Sequence, residues 1–236
     1  MQPILIAHRC GTERYPELTL DSAKHSLAAG ASYVEMDIRF TKDGFPVISH
    51  DDNAEVLFGT PNQIDKLNLD EFLLLKRKGH PEYNANRFED ILQSEVHPLL
   101  LHIKEGGERL RSILALLRTY GYEDRTVLGL ESVEDVKTAK DWNPAIPILA
   151  FMPSKNDLED FARSDADILR LWDPWVSEEL ITKVKSFSKK VWIMAGGGGQ
   201  YPTGYTSDEK LLFWKSLGVD GILVNEIQRT KTILSE

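Results

Sequence analysis

The chain has little of what marks secreted, membrane-spanning or nucleic-acid-binding proteins. Cys10 is the one cysteine among 236 residues, so no intrachain disulfide can form, which is typical of cytoplasmic proteins. No apolar run is long enough to span a bilayer. The N-terminus enters a strand-like segment without a basic and then apolar leader. We therefore predict a cytoplasmic protein with neither a signal peptide nor stable membrane insertion.

Positive charge is also scarce. The 28 lysines and arginines are outnumbered by 37 aspartates and glutamates, which gives a net charge of −9. A nucleic-acid partner requires a basic surface to offset such a charge, and the sequence contains no basic cluster. We therefore predict no nucleic-acid partner and leave the oligomeric state open. A small phosphate ligand remains compatible with this charge, since the local charge of a site can oppose the charge of the whole chain.

What the chain does contain is a regular alternation of strand and helix patterns. Its hydrophobic content of 42% and charged content of 28% are those of an ordinary soluble globule. Eight short runs rich in Val, Ile and Leu predict strands at Ile4–His8, Tyr33–Phe40, Pro98–Lys104, Thr126–Leu130, Ile146–Phe151, Ala166–Trp172, Lys190–Ala195 and Val219–Val224. Helical patterns separate most of them, so we predict an α/β fold, a closed (β/α)₈ TIM barrel with parallel strands.

Two features interrupt the alternation. Asp43-Gly44 separates Tyr33–Phe40 from Phe45–Ser49 and predicts a hairpin turn. Residues 52–87 contain few periodic elements. We interpret them as a small insertion on the barrel rim after the second strand and its hairpin, and residues 1–236 as a single domain.

An acid pair lies within the second predicted strand. Glu35 and Asp37 are two residues apart, so their side chains share one face of the strand. Two carboxylates pointing into a barrel are unfavourable unless a positive group binds them, and oxygen ligands suit Mg²⁺, Ca²⁺ or Mn²⁺. The alternative is an ion pair with Arg39 or Lys104.

Two histidines end strand-like segments on either side of this pair. His8 is followed by Arg9, and His50 is followed by Asp51. Histidine exchanges protons near neutral pH, so the two can act as acid and base on either side of a phosphorus atom, while Arg9 binds phosphate through its planar fork. The alternatives are structural histidines, or a nucleophilic thiol at Cys10.

Further polar residues follow the later strands. Lys104 ends the third strand with His102 on the same face, and a lysine there can stabilise charge on a phosphate or pair with the acids. We interpret Glu131 as a helix N-cap or first-turn acid. The glycine run 196–199 is either a phosphate cradle or a mobile lid.

With these residues in place, the chain resembles the glycerophosphodiester phosphodiesterase family. The order and spacing of its motifs agree along most of the sequence, and the block from His8 to Asp51 is the most specific. The matching segments are His8-Arg9, Pro16-Glu17-Leu18-Thr19-Leu20, Gly30-Ala31-x-x-Val34-Glu35-x-Asp37, Thr41-Lys42-Asp43-Gly44, Pro46-Val47-x-x-His50-Asp51, Ile103-Lys104 and Gly218-Val219-Asp220-Gly221-Ile222.

The resemblance implies a (β/α)₈ barrel and metal-dependent hydrolysis of glycerophosphodiesters to glycerol 3-phosphate and an alcohol. In family members the glycerol 2-hydroxyl can attack first and form a cyclic phosphate. The cation is commonly Mg²⁺ or Ca²⁺. The implied roles are metal binding by Glu35 and Asp37, acid–base catalysis by His8 and His50, and phosphate contacts from Arg9 and Lys104.

The chain departs from the family pattern at several positions. Cys10 stands where the family usually has Gly, Leu18 where it has Asn, and Asn225 where it has Asp. His102 replaces the glutamate that is the third metal ligand. An imidazole there favours Mn²⁺ or Zn²⁺ over Ca²⁺, with His102 as a ligand or with Glu17 completing the coordination sphere.

These departures leave alternatives to the leading hypothesis of an active phosphodiesterase. The changes at Leu18 and His102 fit a weakened relative that binds phosphodiesters without turnover. The aromatic residues near the ends of strands six and seven are compatible with lysophospholipid substrates.

Overall fold

Eight parallel strands close into a barrel in the computed structural model, which describes residues 2–235. The barrel strands are β1 (Ile4–Ala7), β2 (Tyr33–Phe40), β6 (Leu99–Ile103), β7 (Thr126–Leu130), β8 (Ile148–Ala150), β9 (Ile168–Trp172), β10 (Lys190–Met194) and β11 (Gly221–Val224). They pair in chain order, and β1 closes the ring by pairing with both β2 and β11. The predicted TIM barrel and all eight of its strands are confirmed.

Helices on the outside connect the barrel strands. Their bounds are α1 (Leu20–Ala29), α2 (Glu55–Phe58), α3 (Leu69–Leu73), α4 (Phe88–Gln93), α5 (Glu108–Tyr120), α6 (Val133–Trp142), α7 (Leu158–Arg163), α8 (Glu178–Ser186), α9 (Asp208–Ser216) and α10 (Ile227–Ser235). Side-chain caps define several starts: the Thr19 hydroxyl accepts from Ser22 N. None of the helices within residues 2–235 has the length and apolarity needed to cross a bilayer.

The strand alternation separates two apolar layers. Val34, Met36 and Ile38 of β2 face outward into a large core beneath the helices, so Glu35 and Asp37 face inward. A second core fills the barrel interior with Ile6, Leu100, Val127, Leu149, Phe151, Ile168, Trp192, Met194 and Leu223. The filled interior leaves the carboxyl ends of the strands as the place for a site.

An antiparallel hairpin and a small subcore follow β2. Strand β3 (Pro46–Ile48) pairs with the end of β2, as the Asp43-Gly44 turn predicts. Residues 52–87 contain α2, α3, β4 (Lys76–Arg77) and β5 (His80–Asn84) around a small core of Val47, Ile64, Leu67, Phe72 and Ala85. These elements have two to five residues, too few for sequence periodicity to reveal.

Candidate active site

One cavity of about 380 Å³ opens at the carboxyl ends of the barrel strands. Seven of the eight candidate side chains line it: His8, Arg9, Glu35, Asp37, His50, His102 and Lys104. The eighth, Glu17, does not line the cavity. Its carboxylate lies 3.2 Å from Arg9 Nη1. The fold therefore brings together seven predicted residues that lie on, or directly after, β1, β2, the hairpin and β6.

Three side chains in this cavity are arranged as a metal-binding group. Glu35 and Asp37 come from the inner face of β2, and His102 stands beside Asp37 in the β2–β6 register. One nitrogen or oxygen from each residue lies within 4.8 Å of the others, and all three residues are buried. Two carboxylates and an imidazole are donors that a divalent cation accepts.

The two carboxylates of this group differ in how their charge is compensated, and Asp37 has the closer positive neighbours. Asp37 Oδ1 lies 3.0 Å from Lys104 Nζ and 3.1 Å from His102 Nδ1, yet neither buried Asp37 oxygen has a partner with good hydrogen-bond geometry. Burial raises the pKa of Asp37, but Lys104 and His102 outweigh it and hold that pKa below its usual range.

Glu35 has less compensation than Asp37. Its carboxylate accepts a hydrogen bond from the Arg9 backbone N at 2.6 Å. Burial, and then the neighbouring Asp37, raise the pKa of Glu35 to about 8. A buried acid pair with unsatisfied oxygens fits a divalent cation. The sequence offered an ion pair with Lys104 or Arg39 as the alternative to a metal. Lys104 does pair with Asp37, whereas the Arg39 side chain donates to His50 O.

His102 makes a second strong contact on its other edge. Its Nε2 lies 2.7 Å from Glu131 Oε1, and its ring stacks on Phe151 with centroids 3.8 Å apart. The interpretation of Glu131 as a helix N-cap is wrong. The cap of α6 is Ser132, whose hydroxyl accepts from Asp135 N, and the Glu131 carboxylate turns into the cavity instead.

His8 is held by a residue at the far end of the chain. Its Nδ1 lies 2.8 Å from Asn225 Oδ1, and Asn225 Nδ2 donates to Thr203 O. Gly204 makes room for this amide, since a Cβ at Gly204 would lie 2.3 Å from Asn225. Burial, and then Arg9, lower the pKa of His8 to about 4. The ring is therefore neutral at pH 7, with its proton on Nδ1 and Nε2 free to accept one.

His50 has a different partner. Its Nδ1 lies 2.7 Å from Asp51 Oδ1, and about a third of its side chain is exposed. The pKa of His50 lies below its ordinary value, because burial lowers it and the Lys104 and Arg9 charges add to this effect, while the carboxylates of Asp37 and Asp51 oppose it. A carboxylate partner stabilises the imidazolium more strongly than the neutral amide beside His8 does. The two histidines are therefore suited to opposite proton transfers.

Three features that the sequence left open lie outside the lining of the cavity. Cys10 is fully buried and burial raises the pKa of its thiol well above the ordinary value, so it is not a nucleophile. The Leu18 side chain packs in the core beneath the helices and does not line the cavity. The glycine run 196–199 does not line the cavity either.

Arg170 is a site residue that sequence reasoning missed. Its guanidinium lies 4.1 Å from the Trp172 ring and 5.1 Å from the Phe151 ring, and Nε and Nη1 have no hydrogen-bond partner. Burial lowers its pKa to about 10, so it stays charged at pH 7. The signal in the sequence is a single arginine within the apolar run Ile168–Trp172, at a position that alternation places inside the barrel.

Several known proteins are similar to this chain in amino-acid sequence. A glycerophosphodiester phosphodiesterase of Caldanaerobacter subterraneus subsp. tengcongensis is 36% identical over 163 residues, 63% of this chain and 66% of that one. Lysophospholipase D GDPD3 of Mus musculus is 29% identical over 157 residues, 61% of this chain and 48% of that one. The chain thus spans about half the length of the lysophospholipase D relatives it matches.

Solved structures share the fold. A phosphodiesterase of Oleispira antarctica in complex with the product sn-glycerol-3-phosphate superposes with a TM-score of 0.82 at 20% identity, covering 100% of this chain and 98% of that one. The model of the Glycerophosphoryl diester phosphodiesterase family matches residues 8–197, a span that includes every candidate catalytic, phosphate-binding and metal-binding side chain named above. The chain therefore belongs to the glycerophosphoryl diester phosphodiesterase family.

Proposed function

We propose that this protein hydrolyses glycerophosphodiesters to glycerol 3-phosphate and an alcohol with the help of a divalent cation. The observation that carries the proposal is the convergence of two histidines, two carboxylates and a lysine on one cavity: His8, Glu35, Asp37, His50 and Lys104. Its family membership and the glycerol phosphate bound to a protein of the same fold support it.

Glu35, Asp37 and His102 are the residues that would hold the cation. A bound divalent cation would polarise the phosphoryl oxygens and stabilise charge that develops on them. The buried, unsatisfied oxygens of Asp37 are the reason to place it there. The mixed oxygen and nitrogen donors suit Mn²⁺ or Zn²⁺ as well as the Mg²⁺ or Ca²⁺ common in the family.

Arg9 and Lys104 are the proposed phosphate contacts. Arg9 is held at one edge by Glu17, which fixes the direction of its planar fork towards the cavity that it lines. The Lys104 ammonium, 10% exposed, provides a point charge beside the acid pair. Arg170 adds a third positive charge to the cavity wall, which favours an anionic ligand.

We assign the base to His8 and the acid to His50. Neutral His8 takes the proton from the attacking hydroxyl, which is water or the glycerol 2-hydroxyl, as its oxygen bonds to phosphorus. The bond from phosphorus to the alcohol oxygen then breaks, and His50 gives that oxygen a proton. With water as the nucleophile the other product is glycerol 3-phosphate. With the glycerol 2-hydroxyl it is a cyclic phosphate, which water opens to glycerol 3-phosphate as the two histidines return their protons in the opposite direction. The Asn225 amide beside His8 and the Asp51 carboxylate beside His50 support this division.

Lysophospholipids are a second candidate substrate class. Two relatives are named lysophospholipase D GDPD3, and the segment 52–87 exposes apolar side chains, with Val56 59% and Leu74 78% exposed. Exposed apolar groups near a rim favour substrates that carry an acyl chain. The first candidate remains the smaller, water-soluble diester.

A substrate panel tests both candidates. We expect release of glycerol phosphate from glycerophosphoethanolamine in the presence of Mg²⁺, Mn²⁺ or Ca²⁺, and loss of release on addition of a chelator. Lysophosphatidylethanolamine, which differs by its acyl chain, tests the second class through release of ethanolamine, because its other product is lysophosphatidic acid and not glycerol phosphate. Turnover of the lysolipid alone would overturn the first candidate. Binding of both diesters without turnover under any metal would establish the weakened, binding-only relative.

The pH profile of an Asn225→Asp variant tests the role of His8. A carboxylate at this position stabilises the imidazolium and raises the pKa of His8 from about 4. Since only neutral His8 accepts a proton, activity should then be lost at a higher pH on acidification. We expect the acid limb of kcat/KM, measured between about pH 4 and about pH 8, to move upward.

The matched control is Asn84→Asp, because Asn84 is an exposed residue of β5. It adds the same charge to the chain away from the cavity and should leave the acid limb in place. An unshifted acid limb in Asn225→Asp would contradict the assignment of the base to His8.

A further inference from the structure

We propose that Glu131 is a positioning residue that orients His102 as a metal ligand and supplies the negative charge that the glutamate-to-histidine change removed. The inference deepens the proposed function, on whose metal group it rests. The sequence suggested a helix cap for this residue.

The contacts of the His102 ring determine which nitrogen carries the proton. Lys104 Nζ lies 2.8 Å from His102 Nδ1, and an ammonium group donates hydrogen bonds but cannot accept them. Nδ1 therefore accepts, and in the neutral ring the proton lies on Nε2, which donates to Glu131 Oε1 at 2.7 Å. The lone pair of Nδ1, which accepts from Lys104 here, lies on the edge that faces Asp37, 3.1 Å away.

The ring is also fixed in its plane. Phe151 stacks on it at an interplanar angle of 18°. Gly129, the neighbour of His102 in the β6–β7 register, leaves space for Phe151, since a Cβ there would lie 2.5 Å from that ring. The hydrogen bond from Nε2 to Glu131 and the stack of Phe151 on the ring face together hold His102 in one orientation. In this orientation Nδ1 is directed at the acid pair.

The charges of the group explain why an acid is needed here. A neutral imidazole and the Glu131 carboxylate together carry one negative charge, the same as one glutamate ligand. The Glu131 side chain is 44% exposed, and its carboxylate is not used to cap α6, whose cap is Ser132. A carboxylate on the second nitrogen of a metal-ligating histidine fixes its tautomer and raises its basicity.

Titration calorimetry with Mn²⁺ alone tests the proposal in two backgrounds. In the otherwise unchanged protein, Glu131→Leu should weaken Mn²⁺ binding about 10- to 100-fold, and Glu131→Gln should weaken it less because the amide oxygen still accepts the hydrogen bond. In a His102→Glu protein, Glu131 faces a like charge, so the same Glu131→Leu change should leave Mn²⁺ binding unchanged or strengthen it.

The reversal between backgrounds separates positioning from a general structural role. Glu134→Leu, which removes an exposed acid in the first turn of α6, is the matched control and should leave Mn²⁺ binding unchanged. Equal weakening by Glu131→Leu in both backgrounds would overturn the inference, and so would no weakening in either. Thermal unfolding of each variant without metal shows whether the fold is retained.

The readouts also separate this inference from the proposed function. A protein that hydrolyses glycerophosphoethanolamine but binds Mn²⁺ equally well with and without Glu131 overturns the inference alone. A protein whose Mn²⁺ binding depends on Glu131 but which hydrolyses no diester overturns the proposed hydrolysis alone. A protein that binds no Mn²⁺ overturns the inference and leaves the hydrolysis to be judged by the substrate panel.

Discussion

Replacement of His50 or His8 by alanine is expected to lower kcat for glycerophosphoethanolamine by about 10²- to 10⁴-fold, the usual contribution of a positioned acid or base. Without His50, the alcohol oxygen leaves without a proton. Without His8, the attacking hydroxyl keeps its proton. Steady-state kinetics of the two variants measure the effect, and the losses should be far less than additive if both act in one step.

Two checks make this result decisive. His80→Ala is the matched control, because about half of the His80 side chain is exposed on β5, where its ring contacts Glu82, and it should retain full turnover. Thermal unfolding should show that His50→Ala remains folded. Near-normal turnover in both the His8 and His50 variants would remove acid–base catalysis by histidine from the mechanism.

Replacement of Asp37 by asparagine is expected to lower turnover by at least about 10³-fold, because a cation at this group stabilises the reacting phosphate by several kcal/mol. The same change should lower the free energy of unfolding of the metal-free protein by about 3 kcal/mol, since the buried Lys104 ammonium loses its carboxylate partner. Kinetics with added metal and urea denaturation in chelator measure the two effects.

Glu35→Gln separates these effects. No lysine, arginine or histidine side chain within residues 2–235 forms an ion pair with the Glu35 carboxylate in this structure, so its stability loss should be smaller. Its loss of metal-dependent turnover should match that of Asp37→Asn. Full turnover in either variant would contradict the assignment of the metal to this pair.

Much of this architecture could be predicted because it repeats a simple pattern. The barrel strands can be recognised in the sequence as short apolar runs that are separated by segments of helical periodicity. Alternation along β2 correctly places Val34 and Met36 in the outer core and Glu35 and Asp37 inside. Side chains at strand ends meet at one rim of a parallel barrel, so residues 8, 37 and 50 could be grouped before any coordinates.

The rest depended on contacts that have no local signal. The Asn225 amide meets His8 from 217 residues away, and an asparagine after an apolar strand has the composition of any loop. Glu131 had a plausible use as a helix cap, and only the side-chain direction reveals its hydrogen bond to His102. Helix α10 was missed, and so were the short elements of residues 52–87.

The pairing of β1 with β11 has a consequence for His8, the proposed base. Strand β2 and its hairpin carry Glu35, Asp37 and His50 on one short stretch of chain, whereas the amide that sets the His8 tautomer follows the strand that completes the ring. The hydrogen bond between His8 and Asn225 therefore forms only in a closed ring. We expect a chain with a loosened β1–β11 seam to lose the proposed base even where β2 and its hairpin keep their side chains in place.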